Sequence, residues 1–312
     1  MQSRCLMNGR SLIASLLIDL WLIALNSRVI NFCIHMSNFT NNPPRRFLSR
    51  ALRAFRSNFW GRGEAARIRD LYLNTIQHCL TGTIYNDPPL KVWGLEEFDP
   101  NLREYGWDWP SMAHTMIGQK RMSNIRQLLE QVLANNVPGD LIETGVWRGG
   151  ACIYMRAILM AYGISDRTVW VADSFQGLPP PNPEKYPADE GDEFSTYSEL
   201  AVSMEEVKTN FERYGLLDGN VAFLKGWFKD TLPEAPIDRL AILRMDGDMY
   251  ESTIDALDNL YHKVSTMGFV IVDDYRVVEG CRKAVDDFRE QHAINDPLVE
   301  IDGVGVYWQK TE

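Results

Sequence analysis

The chain has 312 residues, 45% hydrophobic and 24% charged, which excludes a disordered polypeptide and leaves length for about two domains or one large α/β domain with extensions. Its net charge of −10 is unevenly spread: residues 1–70 hold 11 Arg, no Lys and three acids, a local +8 that leaves −18 for the rest. An acidic body excludes nucleic acid as the main partner, because neutralising phosphates requires a basic surface.

The N-terminal run LIASLLIDLWLIAL at 12–25 is apolar and flanked by Arg4, Arg10 and Arg28. It is shorter than the roughly 20 residues that span a bilayer, and Asp19 interrupts it. Three readings stay open: a leader outside the working protein with translation from Met36, a helix touching a membrane surface, or a secretion signal with a weak cleavage site. Residues 37–63 are rich in Asn, Pro and Arg and read, with the leader, as a flexible basic region with at most a short helix. The folded part is expected from Glu64, as a helical N-terminal extension over 64–137 and an α/β core over 138–312.

Ile68, Leu71, Tyr72, Ile76 and Cys79 recur at helical spacing and predict a helix over 65–80. Pro88, Pro89 and Pro100 break the next stretch into loops. An aromatic cluster, Trp107-Asp108-Trp109-Pro110, precedes a helix over 123–134 that Asn135-Asn136-Val137-Pro138-Gly139 ends. From there the pattern alternates. Strands are expected at 141–143, 168–172, 221–224, 240–244 and 269–272, and helices at 151–161, 200–214, 253–264 and 281–292. A terminal hairpin pairs 298–301 with 305–309 across Asp302-Gly303. Alternation of this kind predicts an α/β, Rossmann-like, doubly wound sheet whose ligands bind at the carboxyl ends of the strands. Five cysteines lie far apart with no CxxC pair, so a disulfide framework or zinc site is not expected, and a reducing, cytoplasmic setting is.

The strand ends are acidic or glycine-rich. Glu143-Thr144-Gly145-Val146-Trp147-Arg148-Gly149-Gly150 is a strand-to-helix turn that lets backbone approach a ligand, though its spacing is not GxGxxG. Asp173, ending the second strand, is placed to accept hydrogen bonds from the hydroxyls of an adenosine-type ribose. Glu143 suits a positively charged ligand better than a pyrophosphate, which favours S-adenosylmethionine over a nicotinamide dinucleotide. Asp246-Gly247-Asp248 and Asp273-Asp274 end adjacent strands, and carboxylates crowded together repel unless a cation or protons neutralise them. Oxygen-only donors favour Mg²⁺ or a similar hard divalent ion. His114 is a candidate neighbour of the site, and Trp147 and Trp227 are the tryptophans placed to line a pocket.

The runs CLTGTIYNDPP (79–89), DWPSMAHTMIGQKRMSNI (108–125), PGDLIETGVWRGGACIYMRA (138–157) and VADSFQGLPPPNPEKYPADEGD (171–192) resemble the macrocin O-methyltransferase (TylF) family. So do LKGWFKDTLPEAPIDRLAILRMDGDMYEST (224–253) and GFVIVDDYRVVEGCRKAVDDFR (268–289). The resemblance implies a class I methyltransferase fold with a seven-stranded sheet and methyl transfer from S-adenosylmethionine to a sugar hydroxyl of a natural product, with a divalent metal. It also implies a homo-oligomer, often a dimer in which N-terminal segments complete the site. Glu143 and Gly145 would line the methionine end of the cofactor, Asp173 and Ser174 its ribose, and Gly226 and Trp227 its adenine. Asp246, Asp273 and Asp274 would bind Mg²⁺, with Asp246 the general base. The loop at 177–197, with five prolines, would be a lid over a glycoside or saccharide acceptor, and the loop at 84–89 would contribute to the site. Two rivals remain at this stage: a metal-dependent glycosyltransferase using Asp246-Gly247-Asp248 as a DxD motif, and a non-catalytic binding protein on the same fold.

Overall fold

The computed structural model describes residues 45–312, with side chains from 63 onward except that of Trp93. The expectations for the run at 12–25 and for a start at Met36 lie outside the described residues. Helix α1 is Arg45–Leu80, so the stretch from Arg45 to 63 is helical where at most a short helix was expected. Pro44 is the last helix breaker before it, and the Ala, Leu and Arg that follow are strong helix formers. The chain divides near residue 66, and the following concerns the compact unit at 67–312.

Pro100 starts an element rather than ending one. Helix α2, Pro100–Tyr105, has Pro100 in its first turn and Asp99 as N-cap, whose carboxylate accepts from the Asn101 amide at 2.7 Å. A proline there gives up an N–H that has no intrahelical partner anyway. Helix α3, Gly118–Ala134, begins five residues earlier than its apolar pattern suggests and buries Met122, Ile125, Leu128, Leu129 and Val132.

The core is a seven-stranded sheet. Its strands are β1 Asp140–Thr144, β2 Val169–Asp173, β3 Val221–Lys225, β4 Leu240–Met245, β5 Val264–Val272, β6 Val299–Glu300 and β7 Val306–Gln309. The order is β3-β2-β1-β4-β5-β7-β6, parallel through β5, with β7 antiparallel to β5 and β6 to β7. Side chains alternate between two apolar layers. Leu141, Phe269 and Ile271 join one with Leu128, Ile158 and Phe211, while Ile142, Val270 and Val272 join the other with Leu257, Val285 and Trp308. Helix α4, Gly150–Ala161, is buried on nearly every side and follows β1; α5, Met204–Arg213, packs in the same layer. After β3 comes the short α6, Phe228–Thr231; α7, Tyr250–Leu260, and α8, Glu279–Gln291, serve the opposite layer.

Three boundaries differ from the sequence pattern for identifiable reasons. Helix α5 starts at Met204, not 200, because Ser203 caps it by accepting from the Glu206 amide at 3.2 Å. Helix α7 ends at Leu260, and β5 begins at Val264 rather than 269, since Val264 pairs with Leu240 and the Ser265 hydroxyl donates to the Pro138 carbonyl at 2.7 Å. The hairpin turns on Asp302, whose carboxylate accepts from the Val304 and Gly305 amides, both at 3.0 Å. Among the described residues no helix is long and apolar enough to cross a membrane.

Candidate active site

The carboxyl ends of β1, β2, β4 and β5 open into a cavity of about 800 Å³. One half is built largely from backbone. Gly145 follows β1 with φ +86°, and a Cβ there would collide with the Asp246 carbonyl oxygen, so only glycine lets the turn pass so close to β4. Asp173 grips that turn, its carboxylate accepting from the amides of Val146 at 2.8 Å and Phe175 at 2.7 Å. Burial raises the Asp173 pKa while these amides hold it down. The Ser174 hydroxyl donates to the Gly177 carbonyl at 2.6 Å, and the Gly226 amide to the Asp173 carbonyl at 2.9 Å. Gly145, Asp173, Ser174, Gly226 and Trp227 all line the cavity, as does Trp147, whose indole donates to the Glu199 carbonyl at 2.9 Å.

The other half is built from charged side chains. Asp246, Asp273 and Asp274 offer carboxylate oxygens that all lie within 4.8 Å of one another, a donor set suited to a hard divalent cation. Burial first, and then the neighbouring Asp273 charge, raise Asp246 to about 6. Asp248 and Asp274 are pushed well above the usual carboxylate range, by burial first and then by neighbouring carboxylates: Asp246 and Asp273 for Asp248, and Asp248 and Asp246 for Asp274. Among the described residues no lysine or arginine forms an ion pair with Asp274, although the Arg121 charge acts to lower its pKa. The residues present fit such an ion.

Crowding here is relieved in part from within. Arg244, fully buried in β4, pairs with Glu143, with Asp273 and, at 2.9 Å, with Asp246. Arg121 of α3 pairs with Asp273 and, at 3.1 Å, with Asp302. The cation that the crowded carboxylates were expected to need is supplied in part by the protein itself, as two guanidinium groups offset some of the charge. Glu143 also lies behind the cavity wall, 2% exposed, bonded to Arg244 and accepting from the Cys152 thiol at 3.0 Å. Burial lifts it to about 7 against the pull of Arg244.

Over this floor lie residues from the loop at 177–197, including Leu178, Pro179, Pro180 and Phe194, together with Trp107 and Trp109. His114 is not among the lining residues; its Nδ1 meets the Tyr214 hydroxyl at 2.9 Å, and burial lowers it to about 4, so it stays neutral near pH 7. Asp87 of the 84–89 loop is buried as well, accepting from the Ser111 hydroxyl and the Met112 and Ala113 amides at 2.7–2.9 Å.

Residues 65–310 match the family Macrocin-O-methyltransferase (TylF). The chain belongs to that family. It is 57% identical over 246 residues to demethyldecarbamoylnovobiocin O-methyltransferase of Streptomyces niveus, covering 77% of this chain and 94% of the relative. It is 53% identical over 247 residues, covering 78% and 94%, to 8-demethyl-8-(2,3-dimethoxy-alpha-L-rhamnosyl)-tetracenomycin-C 4'-O-methyltransferase of Streptomyces olivaceus. The solved structure of the O-methyltransferase NovP superposes with a TM-score of 0.76 at 56% identity, covering 78% of this chain and all of that one. This TylF-family chain is thus an O-methyltransferase with the class I fold, and the glycosyltransferase reading of Asp246-Gly247-Asp248 falls.

Sequence reasoning on this TylF-family member missed Arg244 and Arg121. For Arg244 a signal existed: an arginine inside the apolar run LAILRM, in a strand whose other five residues are all buried, has to find carboxylates. For Arg121 none did, since its partner Asp273 is 152 residues away.

Proposed function

We propose that this enzyme transfers the methyl group of S-adenosylmethionine to a sugar hydroxyl of a natural-product glycoside, with a divalent cation such as Mg²⁺ held by Asp246, Asp273 and Asp274. The carrying observation is that one cavity contains both a close-approach glycine turn beside Asp173 and a cluster of three carboxylates. The tetracenomycin relative is named for a rhamnosyl-bearing acceptor and a 4'-O transfer, which supports a sugar hydroxyl as the target.

In this reading Gly145, Asp173 and Ser174 seat the methionine and ribose portions of the donor, and Gly226 with Trp227 borders the adenine. Glu143 acts from behind, fixing Arg244 against the acid cluster. The sulfonium supplies an electrophilic methyl, and the cation, when bound, supplies electrostatic stabilisation to a hydroxyl losing its proton. Asp246 is the base: its side chain is 23% exposed, toward the cavity, while Arg244 holds one of its oxygens. Leu178, Pro179 and Phe194 cover the site and exclude water.

The tetracenomycin relative is named for a rhamnosyl-bearing acceptor and not for a nucleotide-sugar, which favours a glycoside here. The test is methyl transfer from labelled S-adenosylmethionine to glycosides, their aglycones and nucleotide-sugars, with and without EDTA. Transfer to glycosides alone, lost in EDTA and in Asp273→Ala while S-adenosylhomocysteine still binds, is the expected result. Transfer only to nucleotide-sugars, or full turnover after metal stripping, overturns it.

A further inference from the structure

We infer that Asp189 is a positioning residue, a latch by which the loop at 177–197 is docked onto the helix that follows the Asp246-Gly247-Asp248 turn. This rests on the reading of that loop as the cover of the methyl-transfer site.

Helix α7 starts immediately after that turn, and its N-cap residue Met249 has no side-chain oxygen to satisfy the first amides. Asp189, 61 residues earlier in the chain, supplies both oxygens instead. Its Oδ1 accepts from the Tyr250 amide at 2.6 Å and its Oδ2 from the Glu251 amide at 3.0 Å. A carboxylate at this end also meets the positive pole of the helix. The arrangement is closely fitted. Asp189 is 2% exposed, and Gly280 in the first turn of α8 leaves the space it occupies: a Cβ there would stand 2.7 Å from Asp189 Oδ1 and 3.0 Å from the Tyr250 nitrogen. Tyr186 adds a ring contact with Tyr250, centroids 5.7 Å apart.

The two ends of this contact face the same cavity. Gly177, Leu178, Pro179, Pro180 and Phe194 line it from the loop, while Asp246 and Asp248 line it just before α7 and Glu251 within its first turn. Detaching Asp189 would free the cover and leave the helix that anchors the acidic turn without a cap. A covered site and a set base would then depend on one carboxylate that touches neither reactant.

The experiment is amide hydrogen exchange on the full chain with S-adenosylhomocysteine bound, alongside steady-state kinetics, for Asp189→Ala, Asp189→Asn and Gly280→Ala. Loss of a helix cap commonly shifts an equilibrium by about tenfold. The expected result is roughly tenfold faster exchange at Tyr250 and Glu251 and across 177–197, with unchanged exchange in β1 and β4. The KM for the acceptor should rise about tenfold and kcat should fall less. Asp189→Asn, which keeps one accepting oxygen, should lie between wild type and Asp189→Ala. Gly280→Ala should reproduce the effect by displacing the carboxylate from outside the cavity, which keeps the test decisive where Asp189→Ala fails to fold. Unchanged exchange in 177–197 overturns the latch, and so does an increase spread evenly over the sheet. Failure of the function reading looks different: the exchange pattern persists while wild type methylates no glycoside.

Discussion

The two halves of the cavity are made in opposite ways. The half proposed to seat the donor, around Gly145 and Gly226, is backbone drawn together by local hydrogen bonds, with Asp173 accepting from Val146, Phe175 and Ser174. The acid half, around Asp246, Asp273 and Asp274, is a set of side chains from two strand ends, of which Asp246 and Asp273 are held by Arg244 from within the sheet and Asp273 also by Arg121 from outside it. Local backbone makes a cradle that tolerates little change in shape. Distant charges make a centre whose state depends on what neutralises it.

Substituting Arg244 should break the comparison most severely. Removing one member of a buried ion cluster leaves uncompensated charge and typically costs about 3–5 kcal/mol. At about 2–4 °C per kcal/mol for a body of this size, Arg244→Met should melt roughly 10 °C lower in EDTA. Adding Glu143→Gln should recover part of that loss, because the pair is then removed together. A melt unchanged within a degree would mean that the guanidinium holds nothing in place.

Asp246→Asn sharpens the contrast between the halves. Losing an aligned charged group at a reacting centre costs about 10²–10³ in rate. Turnover should fall by that factor while S-adenosylhomocysteine affinity, measured by calorimetry, stays within about threefold. Equal losses in both quantities would show that the halves are not separable.

The smallest effect is a pH dependence. The native protein holds protons on Asp246 up to about 6 and on Glu143 up to about 7, whereas the unfolded carboxyls release them near their ordinary values of 3.8 and 4.5. Raised carboxyl pKa values contribute stability that is complete below the unfolded pKa and lost as pH rises through the folded one. Metal-free protein should therefore lose stability between about pH 4 and 7. Divalent cations need the ionised forms, so the melting gain from Mg²⁺ at 100 times its Kd should be small near pH 5. It should approach about 2.7 kcal/mol near pH 8. Melts with and without MgCl₂ across that range give the answer, and a gain that shrinks with rising pH would count against carboxylate ligation.

How much of this was readable beforehand follows the same division. Strands, helices and the acidic strand ends are local patterns, and Asp173 and the Gly145 turn announce themselves within one β-turn-α unit. Neighbourhood across the sheet is different. Arg244 meets Glu143 only because β1 pairs with β4 in the register that sets those two residues side by side, and register is a property of the folded sheet. Helix α7 begins at Tyr250 rather than 253 because its cap comes from Asp189, which no reading of the helix itself could supply. Pro100 was misread for a simpler reason: the same residue that breaks a helix interior is at home in its first turn.

The missing side chain at Gly145 has an engineering corollary. With no spare atom between the β1 turn and the Asp246 carbonyl, the proposed donor seat and the turn carrying the proposed base cannot be reshaped one at a time. Directed evolution toward new acceptors should accumulate its tolerated changes in the covering segment and around Trp107, and leave 143–150 and 246–248 almost untouched.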